Sequence, residues 1–408
     1  MPQTTSPRVI IIGAGLSGLT AAHALKAKGI YATIIDGASQ VAEPWRARHP
    51  QLKLNIHHKF ADLPGLPMDR QHGDFVPRDA VVNHLETFAR QLDLPIQFET
   101  EVLQLSRQEP HQGKPWRVGT TKGAFEADHV VVATGREKHP HLPNWPGRNN
   151  FNGEILHAAE LGDISRFAGR DVLVIGAGNS GTDVLNHLSR VATGRVWVSL
   201  RHGPTIMPTR LFGFPMHRLA RLFALLPLPV LDAALALTQR LVYGNLSHYG
   251  LHSHTDGGGT RLVRDGISPA MDDGFVAAVK RGQIRMVGET LSFGTDSVRV
   301  RGGTIIKPEI VICATGYRSG LEYLFADFGV LDQDGHPYCG TGETDANHPG
   351  LWFTGYKATL TGFFDAAIVA AKRIADGVVL QEPNRPTQHR SQFQDHKPSS
   401  LQPETLMN

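Results

Sequence analysis

Two glycine runs define the chemistry open to this 408-residue chain: Gly13-Ala-Gly15-Leu-Ser-Gly18 and Gly176-Ala-Gly178-Asn-Ser-Gly181, preceded by the apolar runs Val9–Ile12 and Val172–Ile175. In such a pattern the first glycine permits a tight turn, the second lets backbone approach a pyrophosphate, and the third lets a helix pack closely on a strand. The helix N-terminus, carrying roughly half a positive charge, then faces the phosphates. One such match is weak in a chain with 43 glycines. Two matches in the same strand, turn and helix context predict two dinucleotide sites, and so a chain that passes electrons between two cofactors.

The residue at the end of the next strand sets the preference of each fingerprint. The strand Tyr31 to Ile35 ends at Asp36, where a carboxylate accepts ribose hydroxyls and repels a 2′-phosphate, so the first site suits FAD or NAD rather than NADP. After the second fingerprint the strand Val196 to Leu200 ends at Arg201, with His202 beside it. Arg201 is read as the counterpart of Asp36, tuned for the 2′-phosphate of NADPH. Gly176, Gly178, Ser180 and Gly181 complete that site, as Gly13, Gly15, Gly18 and Asp36 do the first. The strand His129 to Ala133 closes on Thr134-Gly135, and the strand from Pro308 closes on Thr315-Gly316, small residues where backbone approaches a cofactor. That second strand is expected to return the chain to the first domain.

Between Val41 and Asp69 the sequence is loop-rich. Within it Trp45 and Arg46 are candidates to lie against a flavin ring, and Asn55 to hydrogen-bond it. Asn179, at the head of the second nucleotide helix, is the candidate for positioning a nicotinamide. His157, in the short Phe151 to His157 linker between the two fingerprints, could fix the pose of the two halves by bonding backbone. Asn55, His157 and Asn179 are the residues expected to bear on catalysis. No Ser/His/Asp set or paired carboxylates stand out. His57-His58 and His252-x-His254 are too isolated to argue for a metal, and Cys313 and Cys339 have neither redox nor zinc spacing.

The elements that position these residues emerge from periodicity. Asp79 to Arg90 reads as a helix, the segments 96–105, 116–121 and 125–128 as an antiparallel meander, and Phe364 to Ala375 as an amphipathic helix whose N-terminus faces the flavin. Residues 204–257 form an apolar helical insertion, read as a buried or lid-forming pair and a wall for a small organic substrate. The fold class is therefore α/β with two Rossmann-like dinucleotide-binding domains. The expected division is an FAD domain from 1–160 and 304–384, an inserted NADPH domain from 161–303, and a disordered tail from 385–408. A net charge of +3 argues against nucleic acid as a partner. The polar start lacks a signal peptide's apolar core, no segment is long enough to span a membrane, and the cysteine usage suits a cytoplasmic setting.

Taken together, the two fingerprints, Phe151-x-Gly-x-x-x-His157 and Ala314-Thr-Gly-Tyr317 resemble the class B flavin monooxygenases, most closely the branch containing the plant YUCCA enzymes. Leu52-Lys-Leu-Asn55 and Leu63-Pro-Gly-Leu-Pro67 resemble that branch too, over a match from about residue 8 to 378. Leu161 stands where the family motif has Tyr or Phe and Baeyer-Villiger enzymes have Trp, and Glu43-Pro44 replaces a glycine pair. The resemblance implies FAD in the first site, NADPH in the second, and hydride transfer to a flavin that reacts with molecular oxygen. The C(4a)-hydroperoxide so formed would oxygenate a small organic substrate, the cofactor doing the chemistry while the protein orients it and excludes water. Two other readings fit paired Rossmann folds: a reductase serving a quinone or carrier protein, and a flavin-binding sensor without turnover. Homo-oligomerisation is left open.

Overall fold

The computed structural model describes residues 8–108 and 114–381. The expected tail 385–408 lies outside them. Strand β1 (Val9–Ile12) leads into helix α1 (Leu16–Ala27) and strand β2 (Thr33–Ile35). The loop-rich excursion holds one helical turn, α2 (Glu43–Arg46), before helix α3 (Arg78–Leu92) and strand β3 (Ile96–Gln97). Strands β4 (Val102–Arg107), β5 (Trp116–Thr120) and β6 (Gly123–Ala127) form an antiparallel meander, and β7 (His129–Val132) comes next. The linker contains β8 (Glu154–His157) and leads to β9 (Val172–Ile175), α4 (Asn179–Leu188) and β10 (Val196–Ser199). The insertion carries α5 (Ala220–Ala224) and α6 (Leu228–Tyr243). Strands β11 (Ile284–Val287), β12 (Ile310–Cys313), β13 (Thr341–Thr344) and β14 (Leu351–Thr354) precede the last helix, α7 (Phe363–Gln381).

Two sheets organise these elements. The first runs β13-β14-β7-β1-β2-β3 and the second β11-β10-β9-β12-β8, parallel except where β13 meets β14. Every residue of β1, β7, β9, β10, β12 and β14 is buried, as expected of parallel strands covered on both faces. Each of their Val, Ile and Leu side chains contributes roughly 1.5–3 kcal/mol by leaving water. Helices α1, α3 and α7 cover one face of the first sheet, their apolar stripes meeting Ile11, Ile34 and Val131.

Two sequence expectations fail here. The segment at 96–97 does not join the meander; it pairs parallel with β2 as the edge of the first sheet. Strand β12 does not return the chain to the first half: it lies between β9 and β8 in the second sheet. The cause is a repeat of role. β12 stands beside β9 as β7 stands beside β1, each delivering an Ala-Thr-Gly turn against the neighbouring glycine loop. Strands β8 and β12 of the second sheet thus lie outside the expected span 161–303.

The insertion packs one face only. Leu231 and Leu235 are buried with Met207, whereas Leu225 is 80% and Leu241 77% exposed. It reaches back to the first half: the His57 backbone N–H donates to His217 Nδ1 at 3.2 Å, and Arg221 lies 3.5 Å from Asp365. Among the described residues no helix is long and apolar enough to cross a membrane.

Candidate functional site

The first glycine loop is built around one opening. Gly13 has φ +114°, and a Cβ there would lie 2.6 Å from the Ala133 carbonyl oxygen; a Cβ on Gly18 would collide with the Gly13 carbonyl. A Cβ on Gly15, by contrast, would meet no protein atom within 4 Å. Gly15 caps α1 with φ −84° and no side chain satisfies the first turn's N–H groups, so the loop presents backbone donors and a helix N-terminus to open space. Asp36 frames the opening: its Oδ2 accepts from Ala14 N–H at 2.5 Å and its Oδ1 from Ala38 N–H at 2.7 Å.

The second loop repeats this geometry. Gly176 has φ +98° with the Ala314 carbonyl oxygen 2.5 Å from a would-be Cβ, Gly181 would strike the Gly176 carbonyl, and Gly178 opens on nothing within 4 Å. Register corrects one assignment. Gly13 N–H donates to the Ile35 carbonyl and Gly176 N–H to the Ser199 carbonyl, so the counterpart of Asp36 is Leu200, and Arg201 lies one residue beyond. Arg201 is 78% exposed with Glu289 3.9 Å away, leaving its guanidinium accessible. The two cradles fit two dinucleotides: each keeps clear the space a pyrophosphate needs, one bordered by a carboxylate and the other by an arginine.

Beside the second cradle lies a cleft of about 200 Å³. Asn179 and Ser180 line it, with Arg136, Tyr317 and Gly316 opposite and Ile267 and Phe363 as apolar walls. Asn55 does not line the cleft but touches a residue that does: its Nδ2 donates to Asn179 Oδ1 at 3.4 Å, and Asn179 Nδ2 reaches the Ser268 carbonyl at 3.4 Å. Thr134 Oγ1 bonds the Tyr356 hydroxyl at 2.8 Å, Thr315 Oγ1 donates to the His141 carbonyl, and Gly135 and Gly316 take φ near +80° and +85°. Trp45 and Arg46 are not among the residues lining the cleft. Trp45 is half-buried against the first core, and Arg46 pairs with Glu86 of α3.

His157 is 1% exposed and both ring nitrogens are engaged. Nδ1 accepts from Ala159 N–H at 3.1 Å, so Nε2 carries the proton and donates to the Gly316 carbonyl at 3.0 Å. Its backbone N–H donates to Glu160 Oε2 at 3.0 Å, completing a capping box. Burial holds its pKa below that of ordinary histidine, against the raising effect of the Gly316 carbonyl. A neutral ring with no free nitrogen positions backbone and does not exchange protons with a substrate.

Arg48 was not visible from sequence. Its guanidinium lies 4.6 Å over the Tyr317 ring, bonds the Tyr317 hydroxyl, and pairs with Glu137 at 2.9 Å. Burial raises the Tyr317 pKa while Arg48 opposes the rise, so the phenol stays protonated. Nothing in a lone arginine just past a helical turn announces a partner 269 positions away.

Two open glycine cradles of one design, each at the head of a helix beside a parallel sheet, define a two-nucleotide oxidoreductase fold. Residues 10–206 match the family described as pyridine nucleotide-disulphide oxidoreductase. The chain is 31% identical to indole-3-pyruvate monooxygenase YUCCA1 of Oryza sativa subsp. japonica over 332 residues, 81% of each chain. A probable indole-3-pyruvate monooxygenase of Arabidopsis thaliana, YUCCA3, is 29% identical over 88% of this chain and 84% of its own. In fold, it resembles a flavin-containing monooxygenase from Stenotrophomonas maltophilia (TM-score 0.67, 23% identity, 91% of this chain and 99% of that one). It also resembles a cyclohexanone monooxygenase (TM-score 0.67, 19% identity, 93% and 89%). The chain belongs to the YUCCA-type flavin monooxygenases. It is therefore a monooxygenase, an oxidoreductase that oxygenates a small organic substrate, and among the structures that share its fold is one in complex with FAD and NADP (TM-score 0.69, 14% identity).

Proposed function

We propose that the substrate is a small planar 2-oxo acid of the indole-3-pyruvate type. The observation that carries this is the charge pattern of the cleft. Glu137 is paired with Arg48, while Arg136 gives one N–H to the Gly266 carbonyl at 3.0 Å and keeps its other donors for a carboxylate. Ile267 and Phe363 supply apolar walls for a flat ring. The family relationship supports the same class.

When bound, FAD and NADPH supply the hydride transfer and the activation of dioxygen. Gly15 and Gly178 would leave room for the two pyrophosphates, Asp36 would hold the flavin's ribose and Arg201 would hold the 2′-phosphate. Asn55 and Asn179 join the two halves by a hydrogen bond, and His157 fixes the Gly316 turn. The FAD half is read as residues 8–150 with 317–381 and the NADPH half as 154–313, in keeping with sheet membership. A cytoplasmic setting suits Cys313 and Cys339, both unpaired.

NADPH-driven oxygen uptake, with peroxide quantified, across 2-oxo acids, amines, sulfides and ketones tests the substrate. Isotopically labelled dioxygen should place one labelled atom in the product of the 2-oxo acid, and Arg136→Gln should raise KM for that acid far more than for a neutral ketone. If no panel member is oxygenated while quinones or a carrier protein are reduced rapidly, the reductase reading replaces this one.

A further inference from the structure

Outside the cleft, three groups from distant parts of the chain converge. His49, just past α2, turns its Nε2 to Asp183 Oδ2 at 2.8 Å; His187, one turn further along α4, places its Nε2 3.5 Å from Asp183 Oδ1. The two imidazoles stand edge to face with centroids 5.4 Å apart. The ligand atoms all lie within 4.8 Å of one another. We propose that His49, Asp183 and His187 form an exchangeable zinc site that clips the 41–60 excursion to helix α4.

The geometry suits the ion. Four-coordinate zinc with bonds of about 2.0–2.1 Å places neighbouring ligand atoms roughly 3.4 Å apart. Asp183 meets His49 through Oδ2 and His187 through Oδ1, so a shared ion requires the carboxylate to turn and the rings to adjust their rotamers within the 4.8 Å that already spans the ligand atoms. Two neutral imidazoles and one carboxylate are a borderline donor set that favours zinc over calcium or magnesium. His49 is 5% exposed, whereas Asp183 and His187 are 29% and 15% exposed, so an ion enters from the α4 side and keeps a water there.

The protons can be followed. In the metal-free state Asp183 Oδ2 accepts from His49 Nε2. His49 then carries its proton on Nε2, and its buried Nδ1 has no partner. Zinc takes the Nε2 lone pair, so that proton must move to Nδ1 or leave. With no acceptor behind Nδ1, the ring lacks the outer hydrogen bond that usually strengthens such sites by about 10–100-fold. The ion should therefore exchange rather than stay as a permanent structural element. His49 lies six residues before Asn55 and Asp183 four after Asn179, so an ion here ties together the segments that carry the Asn55–Asn179 contact. The second His/Asp group, His57, His58 and Asp74, is less suited, because Asp74 is already paired with Arg210.

Tag-free holoenzyme titrated with cobalt(II) at neutral pH should show the visible bands of a four-coordinate ion at one equivalent, displaced by zinc. His187→Ala and Asp183→Asn should each weaken binding at least about tenfold, and His58→Ala should not. Zinc should slow NADPH turnover in the wild type and not in His187→Ala. His187 is partly exposed and Asp183→Asn nearly isosteric, so both variants should fold, which thermal melts would verify. No cobalt bands in the wild type, titrations or zinc inhibition unchanged in both variants, or bands lost in His58→Ala would each overturn the site.

Discussion

Asn55 and Asn179 stand 124 residues apart in sequence and share a hydrogen bond of 3.4 Å at the edge of the cleft that Asn179 lines, one brought by the excursion after α2 and the other by the head of α4. A long bond between two amides is easily exchanged for better partners when cofactors arrive. Replacing Asn55 with Leu removes a polar group on the flavin side while leaving Asn179 its reach to the Ser268 carbonyl. A hydrogen bond of this kind is worth about 0.5–1.5 kcal/mol, so peroxide released per NADPH consumed should rise roughly two- to tenfold. Flavin reduction, monitored anaerobically by stopped flow, should change less. Equal effects on reduction and on peroxide would place Asn55 elsewhere in the cycle.

Gly15 and Gly178 permit a selective test of cofactor assignment. Both have ordinary negative φ and open onto space free of protein atoms, so valine strains neither loop nor neighbour. Gly15→Val should purify folded but without flavin. Gly178→Val should keep its flavin and lose NADPH-driven reduction, while dithionite still reduces it. The opposite pattern would exchange the two sites.

Arg201, largely exposed and near Glu289 only at 3.9 Å, is available for a 2′-phosphate. Charge-assisted bonds contribute about 1.5–3 kcal/mol, so Arg201→Ala should lower kcat/KM for NADPH roughly ten- to a hundredfold. NADH should be nearly unaffected. A matching loss with NADH would show that Arg201 supports the loop and not the phosphate.

The glycine cradles were legible because their spacing is local, the third glycine of each standing against the carbonyl of the first, although the carbonyls of Ala133 and Ala314 that crowd Gly13 and Gly176 come from distant strands. The destination of β12 was not, since the same Ala-Thr-Gly ending serves both sheets and only strand pairing separates them. Arg201 was placed one residue off because the count depends on where β10 ends. Trp45 and Arg46 lie in the right segment, but a side chain's direction there is set by α3 and Glu86, which periodicity does not reveal. The His49–Asp183 pair, 134 residues apart, leaves no spacing to read. His157 is the intermediate case, its linker position evident and its Gly316 partner supplied by the second sheet.

Buried histidines should make the fold acid-sensitive from about pH 6.5 downward. His129, at the start of β7, is 3% exposed, and Trp352 Nε1 donates to its Nδ1 at 3.4 Å. Burial lowers its pKa to about 4 against an ordinary value of 6.5. The unfolded chain therefore takes up this proton first as pH falls. Stability from the neutral ring is present above pH 6.5 and is lost as pH drops from 6.5 towards 4. The shift corresponds to an effect on the order of 3 kcal/mol across that window. Burial also lowers the pKa of His84 and His157, and these act in the same direction. Thermal melts of the holoenzyme should show a midpoint that rises steadily from about pH 4.5 to about 6.5 and then levels, the window set by the histidine pKa shift. His129→Gln should melt lower at neutral pH but lose part of this slope, because one group that binds a proton only when unfolded is gone. A slope identical to that of the wild type would mean that His129 is already protonated in the folded chain.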